Sequence, residues 1–232
     1  MAYQLATAKI WDGGTWIPAA GAGSPIEFAT ISATTGSPTT GSFTDANGIA
    51  WNYYKFTGSG TMTLDTDGYL DVIVVGGGGG GHRADSTRWS CAPGGGVRWG
   101  IHWFGAGSKT VTVGAGGAVA SMGGNSRFDT LYAGGADQGR ATTGTVTGKW
   151  YGPDYGGGGL VYDYQTTGGT SPGNGAGNNG AGVTLTYDGT AREFGRGGFT
   201  GVNPTLFGAG GDADSAGATA GKDGIVIVKV PA

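Results

Sequence analysis

Six consecutive glycines, residues 76–81, directly follow the apolar run LDVIVV (70–75). The run satisfies G-x-G-x-x-G, the fingerprint of a dinucleotide-binding turn, but any six glycines would do so. The fingerprint works by holding a pyrophosphate at the N-terminus of the helix that follows it. Residues 82–100 have no helical spacing and contain Pro93 and a second glycine run, so we predict neither a helix nor a nucleotide site there.

Glycine supplies 55 of the 232 residues, against a usual share of about 7%. Collagen is excluded because there are only 8 prolines and no strict G-X-Y repeat, and 7 Trp, 10 Tyr and 8 Phe are too many aromatic residues for a disordered chain. Polyproline II remains, a helix with about three residues per turn and no internal hydrogen bonds. Its backbone groups must pair with neighbouring segments, so we expect the glycines to face other backbone.

Ordering a glycine costs about 0.5–1 kcal/mol more than ordering an alanine. Summed over many glycines, this cost is large for a chain whose apolar content is an ordinary 38%. Burial between subunits would offset it, and we therefore expect a homo-oligomer.

The predicted fold class is all-β, a short-strand β-sandwich-like scaffold with glycine-rich polyproline II segments and almost no helix. Short runs rich in β-branched and aromatic residues predict strands at 50–56, 61–65, 69–75, 109–113, 183–187 and 225–230. Four Asn-Gly or Asp-Gly pairs, at 47–48, 67–68, 188–189 and 223–224, are typical of tight hairpin turns.

Two domains are expected. Residues 1–40 form an N-terminal segment ending in the linker-like stretch ATTGSPTTGS, and residues 41–232 form the glycine-rich β and polyproline II domain. The first residues lack the basic and apolar regions of a signal peptide, and no run of apolar residues is long enough to span a membrane. We therefore expect synthesis and folding in a cytoplasm.

The charge and the metal-ligating residues exclude several classes. The formal charge is -3 and only 12% of residues are charged, so the basic surface that nucleic acid requires is not expected. One cysteine and two histidines do not make a zinc cluster, and we predict no metal and no cofactor.

The chain resembles the glycine-rich tail-fibre and tail-tip (minor tail) proteins of tailed bacteriophages of the siphophage type. The resemblance lies in YKFTGSGTMTL with YLDVIVVGGGGGG (53–81), GSKTVTVGAGGA with GGNSRF (107–128) and GKDGIVIVKV (221–230), in that order. It implies a virion component at the tail tip or fibre, made in the host cytoplasm, with other tail proteins and a host-surface glycan or envelope component as partners. It also implies a homotrimer.

The leader MAYQLATAKIWDGGTWIPA is similar to that of many siphophage tail proteins, which carry K-x-W-D-G-x-x-W. Lys9, Trp11, Asp12 and Trp16 occupy the motif positions, and the resemblance implies attachment to the tail. The plainer interpretation is one β-hairpin whose two tryptophans pack together.

This chain departs from the family pattern by carrying bulky insertions between its glycine segments. They hold the candidate host-binding residues Trp89, Trp99, His102, Trp103, Phe104, Trp150, Tyr151, Tyr155, Tyr162 and Tyr164. These rings either supply the core that glycine cannot, or stand on exposed loops where they suit a carbohydrate or another host ligand.

We expect no enzymatic activity. Asp85, Asp154 and Asp163 are ordinary turn residues with no defined separation, and the histidines lack a nucleophile partner. The alternative function, from a different class, is a polyproline II ice-binding or surface-scaffold protein, although such proteins usually have cleaner repeats and fewer large aromatic residues.

Overall fold

The fold is all-β. The computed structural model describes residues 9–11, 16–18, 27–85, 88–139, 182–198, 206–214 and 216–232, and no helix occurs within these ranges. The strands are β1 (Lys9–Trp11), β2 (Trp16–Pro18), β3 (Ile31–Thr34), β4 (Thr39–Thr44), β5 (Ala50–Phe56), β6 (Gly60–Leu64), β7 (Gly68–Val75), β8 (His82–Asp85), β9 (Arg88–Ser90), β10 (Val97–Phe104), β11 (Gly107–Thr112), β12 (Ser126–Phe128), β13 (Leu131–Ala133), β14 (Val183–Thr186), β15 (Ala191–Phe194) and β16 (Ile225–Pro231).

Two five-stranded sheets form the scaffold. Sheet I has the order β10-β7-β16-β5-β4, and sheet II has the order β13-β12-β11-β6-β3. The ladders within both sheets are antiparallel. Separate two-stranded pairs are β1-β2, β8-β9 and β14-β15.

The main core lies between the two sheets. Alternate residues of β7 and β16, including Leu70, Val72, Val226 and Val228, face sheet II, where they join Phe128 and other fully buried side chains. Because successive side chains of a strand point to opposite faces, the remaining residues of these two strands lie on the outer face of sheet I. Burying each such side chain contributes about 1.5–3 kcal/mol.

Part of the outer face of sheet I carries a second core. Ile73, Val75, Ile225 and Ile227 pack there against a cluster that includes Tyr187 and Phe194, at and beside the β14-β15 hairpin. The continuous apolar runs of β7 and β16 follow from this arrangement, since both faces of the two strands are covered.

The hexaglycine is surrounded by other backbone. A Cβ added at Gly76 or Gly79 would meet the segment 134–137, one at Gly77 or Gly80 would meet 115–118, and one at Gly78 or Gly81 would meet 209–212. The contacted segment therefore repeats every third residue, which is the periodicity of polyproline II.

The N–H groups of residues 76–81 show the same threefold order. Gly76 and Gly79 donate to the carbonyls of 96 and 93, Gly77 and Gly80 to those of 124 and 121, and Gly78 and Gly81 to those of 222 and 219, at 2.9–3.2 Å. In return, Gly117, Ala120, Ala136, Gly139 and Gly211 donate their N–H groups to carbonyls of the run. The hexaglycine is thus the axis of a backbone bundle, and no phosphate is needed to explain it.

The predicted strands are confirmed, with ends shifted by a residue or two. Two of the four hairpin turns are also confirmed, because Gly48 and Gly189 have φ of 79° and 82° and connect β4 to β5 and β14 to β15. The other two pairs, at 67–68 and 223–224, were predicted to form hairpin turns, and this is wrong. Asp67-Gly68 connects strands of different sheets, and Gly224 ends a bundle segment by donating to the Gly114 carbonyl.

The linker-like stretch ATTGSPTTGS connects β3 to β4, which belong to sheets II and I. Since β3 pairs with β6, the folded domain already includes residues before position 40. The β1-β2 hairpin lies further towards the N-terminus, and Trp11 is the register partner of Trp16 in it.

Candidate functional site

The stretch VRWGIHWF (97–104), one of the bulky insertions, is a strand, β10, at the edge of sheet I, and not an exposed loop. Val97 and Phe104 are buried at its two ends. Between them, Trp99, Ile101 and Trp103 expose 41%, 49% and 57% of their surface. They alternate along the strand, so all three lie on the outer face of sheet I.

The row continues onto the neighbouring strand. Trp103 is the register partner of Tyr69 of β7, which is 36% exposed, and directly opposed residues of antiparallel strands share a face. We call Tyr69, Trp99, Ile101 and Trp103 the aromatic edge. An exposed apolar row of this kind on a well-packed domain is typical of a binding surface.

An ion pair lies beside the aromatic edge on the same face. Ile101 is opposite Asp71, whose Oδ2 is 2.7 Å from Nζ of Lys229 on β16. The same Nζ lies 3.4 Å from the Thr186 carbonyl oxygen and 5.5 Å from the centroid of the Trp51 ring. Both charged side chains are mostly buried, and the main role of the pair is to join β7 to β16.

The remaining aromatic residues of this face are fixed by packing. The Phe28 ring meets the Trp51 ring edge to face at 5.7 Å, and the Trp51 indole N–H donates to Asp45 Oδ2 at 3.1 Å. Tyr53 meets Tyr187 in the same way, also at 5.7 Å. Burial is the main cause that raises the pKa of Tyr187, so this phenol stays neutral at physiological pH.

Phe104 was a candidate host-binding residue, and the structure contradicts that role. Its side chain is 4% exposed and lies in the core between the sheets, edge to face with Phe128 at 5.0 Å. The reason is the alternation of β10, which turns Trp103 outward and the next residue inward.

His102 lies on the same inner side of β10, half-buried. Its Nε2 atom is buried and has no hydrogen-bond partner among the described residues. Burial lowers the pKa of His102, and the positive charge of Arg98 lowers it further, while Asp71 acts weakly in the opposite direction. His102 is therefore neutral at physiological pH and is not positioned to donate two hydrogen bonds to a ligand.

We expect the free energy of unfolding to fall as the pH drops below about 6.5, because His102 binds its proton more weakly in the folded chain than in the unfolded chain. Urea unfolding at about pH 7.5 and about pH 5.5 would measure this decrease. In the variant His102→Gln, the free energy of unfolding should decrease less between these two pH values. Asp45, whose pKa is lowered mainly by the Ile49 N–H, titrates below about pH 4 and does not contribute in this range. An unchanged decrease in His102→Gln would contradict the assignment.

The other candidate residues are distributed as follows. Trp89 is half-buried on β9, opposite Arg83. Lys9, Trp11 and Trp16 belong to the β1-β2 hairpin. Outside the described residues lie Asp12, Trp150, Tyr151, Tyr155, Tyr162 and Tyr164. The structure thus brings Trp99 and Trp103 together on one exposed face and removes Phe104 from it.

Sequence reasoning missed four residues of this face: Tyr69, Asp71, Ile101 and Lys229. A period of two in VRWGIHWF was the available signal, since it places Trp99, Ile101 and Trp103 on one side of a strand. The Asp71–Lys229 pair could not be found in this way, because its members are 158 residues apart in the chain and meet only when β16 inserts beside β7.

The arrangement suits binding, because it presents exposed aromatic rings on one face of a sheet. Flat rings stack on apolar faces of sugars or on apolar side chains. Within the described residues there is no cluster of three or more metal-ligating side chains, and none of them forms a helix able to cross a bilayer. No protein-family model and no curated protein matches the chain.

Proposed function

We propose that this chain is a structural protein of a phage tail tip or fibre and that it contributes to host attachment through the aromatic edge. The sequence resemblance supports the proposal that the chain is a structural tail protein. Its three segments, 53–81, 107–128 and 221–230, contribute strands β6, β7, β11, β12 and β16 and segments of the glycine bundle. The parts that resemble the family are therefore the parts that build the scaffold.

The proposed contribution to host attachment rests on one observation, the exposure of Trp99 and Trp103 on a sheet. Aromatic anchors dominate the energy of most interfaces, and they bind best when the scaffold holds them in place. The glycine bundle cannot supply such anchors, because the Cβ positions of its axis are filled by neighbouring backbone.

The partners follow from this proposal. The N-terminal segment that contains Lys9, Trp11, Asp12 and Trp16 attaches the chain to another tail protein, and the aromatic edge contacts a host glycan or envelope component. No catalytic step is proposed. A homotrimer stays a prediction from the resemblance. The argument from the cost of ordering glycine is weaker than expected, because residues 76–81 pair their backbone within one chain.

An ice-binding or surface-scaffold role is the alternative. It would need a regular glycine face turned towards solvent, whereas residues 76–81 are buried. A thermal-hysteresis assay separates the two functions, since only an ice-binding protein would depress the freezing point below the melting point.

Replacing Trp99 and Trp103 together by Ser should reduce adsorption of the particles to host cells at least about tenfold, because the two anchors together contribute about 1.4 kcal/mol or more. The purified chain should remain folded, since Trp99 and Trp103 already expose 41% and 57% of their surface. Tyr132→Ser is the matched control, because Tyr132 is an exposed aromatic residue of sheet II.

Adsorption would be measured with particles shown by antibody labelling to contain the variant chain. Normal adsorption by such particles would mean that another tail protein meets the cell. Unfolding of the double variant would mean that the rings are structural. Absence of the wild-type chain from particles would contradict the tail assignment itself.

A further inference from the structure

Within the described residues, no hydrogen bond joins the outward backbone groups of β10 to another segment. Gly76 donates to the Gly96 carbonyl at 2.9 Å, which extends the β7-β10 ladder by one pair beyond Val75 and Val97. The register runs without a shift to Phe104. The N–H and C=O groups of successive residues point to opposite sides of a strand. The even-numbered residues of β10 therefore direct these groups towards β7, whereas Trp99, Ile101 and Trp103 direct theirs away from it.

Among the described residues, segment 99–103 of this edge has none of the features that usually prevent strands from associating. Sheet edges are usually protected by lysine, proline, a bulge or a very short strand. β10 has eight residues, and its segment 99–103 reads Trp-Gly-Ile-His-Trp, with no lysine and no proline. No strand of the described residues pairs with its outer side. Such an edge is a template for an added strand.

Trp99 and Trp103 lie at equal distances along the strand on either side of Ile101. We propose that β10 pairs antiparallel with β10 of a second copy of this chain, about a twofold axis at Ile101. In that register Ile101 opposes itself, and Trp99 opposes Trp103 of the partner subunit on both sides of the axis. Two tryptophan pairs and one isoleucine pair then form on the outer face, and such cross-strand pairs stabilise antiparallel sheets.

The inner face is compatible with the same register. Gly100 there opposes the His102 position of the second copy, so each imidazole faces a residue without a side chain. No residue of 99–103 is Lys, Arg, Asp or Glu, so pairing brings no like charges together. The two aromatic edges become one continuous row whose rings keep one face towards solvent. The pairing therefore does not depend on the proposed host attachment.

Sedimentation of the purified full-length chain tests the pairing. We expect a dimer at about 100 µM, with Ile101→Lys weakening association at least about tenfold and Thr110→Lys leaving it unchanged. Thr110 is the control because it is exposed on β11, a strand with neighbours on both sides. The homotrimer that the sequence resemblance implies is the competing assembly. A wild-type trimer, a wild-type monomer at this concentration, or equal effects of the two lysines would overturn the proposal.

The register is tested by disulfide formation in a Cys91→Ser background, which removes the single native thiol. Opposed Cα atoms of a hydrogen-bonded pair are about 5.5 Å apart, within disulfide range. Ile101→Cys should therefore link to itself. Trp99→Cys should link to Trp103→Cys in a mixture but not to itself. Self-linking of Trp99→Cys as fast as that of Ile101→Cys would overturn the register, and circular dichroism checks that each variant is folded.

Discussion

Gly79→Ala should destabilise the domain by about 3 kcal/mol or more. A Cβ at this position would overlap the carbonyl group of Asp137 and press on the Cβ of Ala92 at 3.2 Å. The backbone cannot move aside cheaply. Gly79 donates to the Pro93 carbonyl and accepts from the Gly211 N–H, so any shift breaks hydrogen bonds to two further segments. Urea unfolding of the purified chain would measure the loss.

Gly58→Ala is the matched control, because nothing lies within 4 Å of a Cβ added there and its φ is not positive. Its effect should be within about 1 kcal/mol and stabilising, since alanine restricts the unfolded chain. Equal effects at both positions would mean that the hexaglycine is not packed as described.

Asp71→Ala should cost about 3 kcal/mol, because it leaves the Lys229 ammonium mostly buried without its carboxylate. The Thr186 carbonyl and the Trp51 ring stabilise that charge only in part. Replacing both partners, as Asp71→Leu with Lys229→Met, should recover much of the loss because no buried charge remains. Chemical denaturation of the single and double variants would show this.

Arg192→Ala supplies the comparison, since it breaks the Arg192–Asp188 pair, whose arginine side chain is 46% exposed. Exposed pairs contribute about 1 kcal/mol or less. If Asp71→Ala cost no more than Arg192→Ala, the Asp71–Lys229 pair would not be the element that holds this face of sheet I.

Much of the fold could be predicted from local patterns. The apolar and β-branched runs of β5, β7 and β16 predict strands, and the hexaglycine predicts close backbone packing. What could not be predicted is where the partners of that packing come from, because a glycine segment carries no side chain that specifies its neighbour. In the structure, segments of the same chain supply the hydrogen-bond partners of residues 76–81. We had expected neighbouring subunits to bury the glycine segments.

The candidate site was predicted only in part, for a related reason. Trp99, Trp103 and Phe104 are all aromatic, and composition alone does not distinguish them. Their exposure depends on which side of β10 each lies and on what packs against that side, which the register with β7 decides. The presence of Gly100 also makes the sequence of this segment resemble a loop, whereas in the structure Gly100 lies within β10 with φ of 138°.

The position of residues 76–81 at the centre of the glycine bundle has a consequence for biosynthesis. Residues 76–81 leave the ribosome before the last of their hydrogen-bond acceptors, Lys222, and before β16, which lies between β7 and β5. Neither the bundle nor sheet I can close until residues 219–231 have been made. Such distant contacts slow folding, and unpaired strands exposed meanwhile can aggregate. The nascent chain should therefore need protection by chaperones until residues 219–231 have emerged.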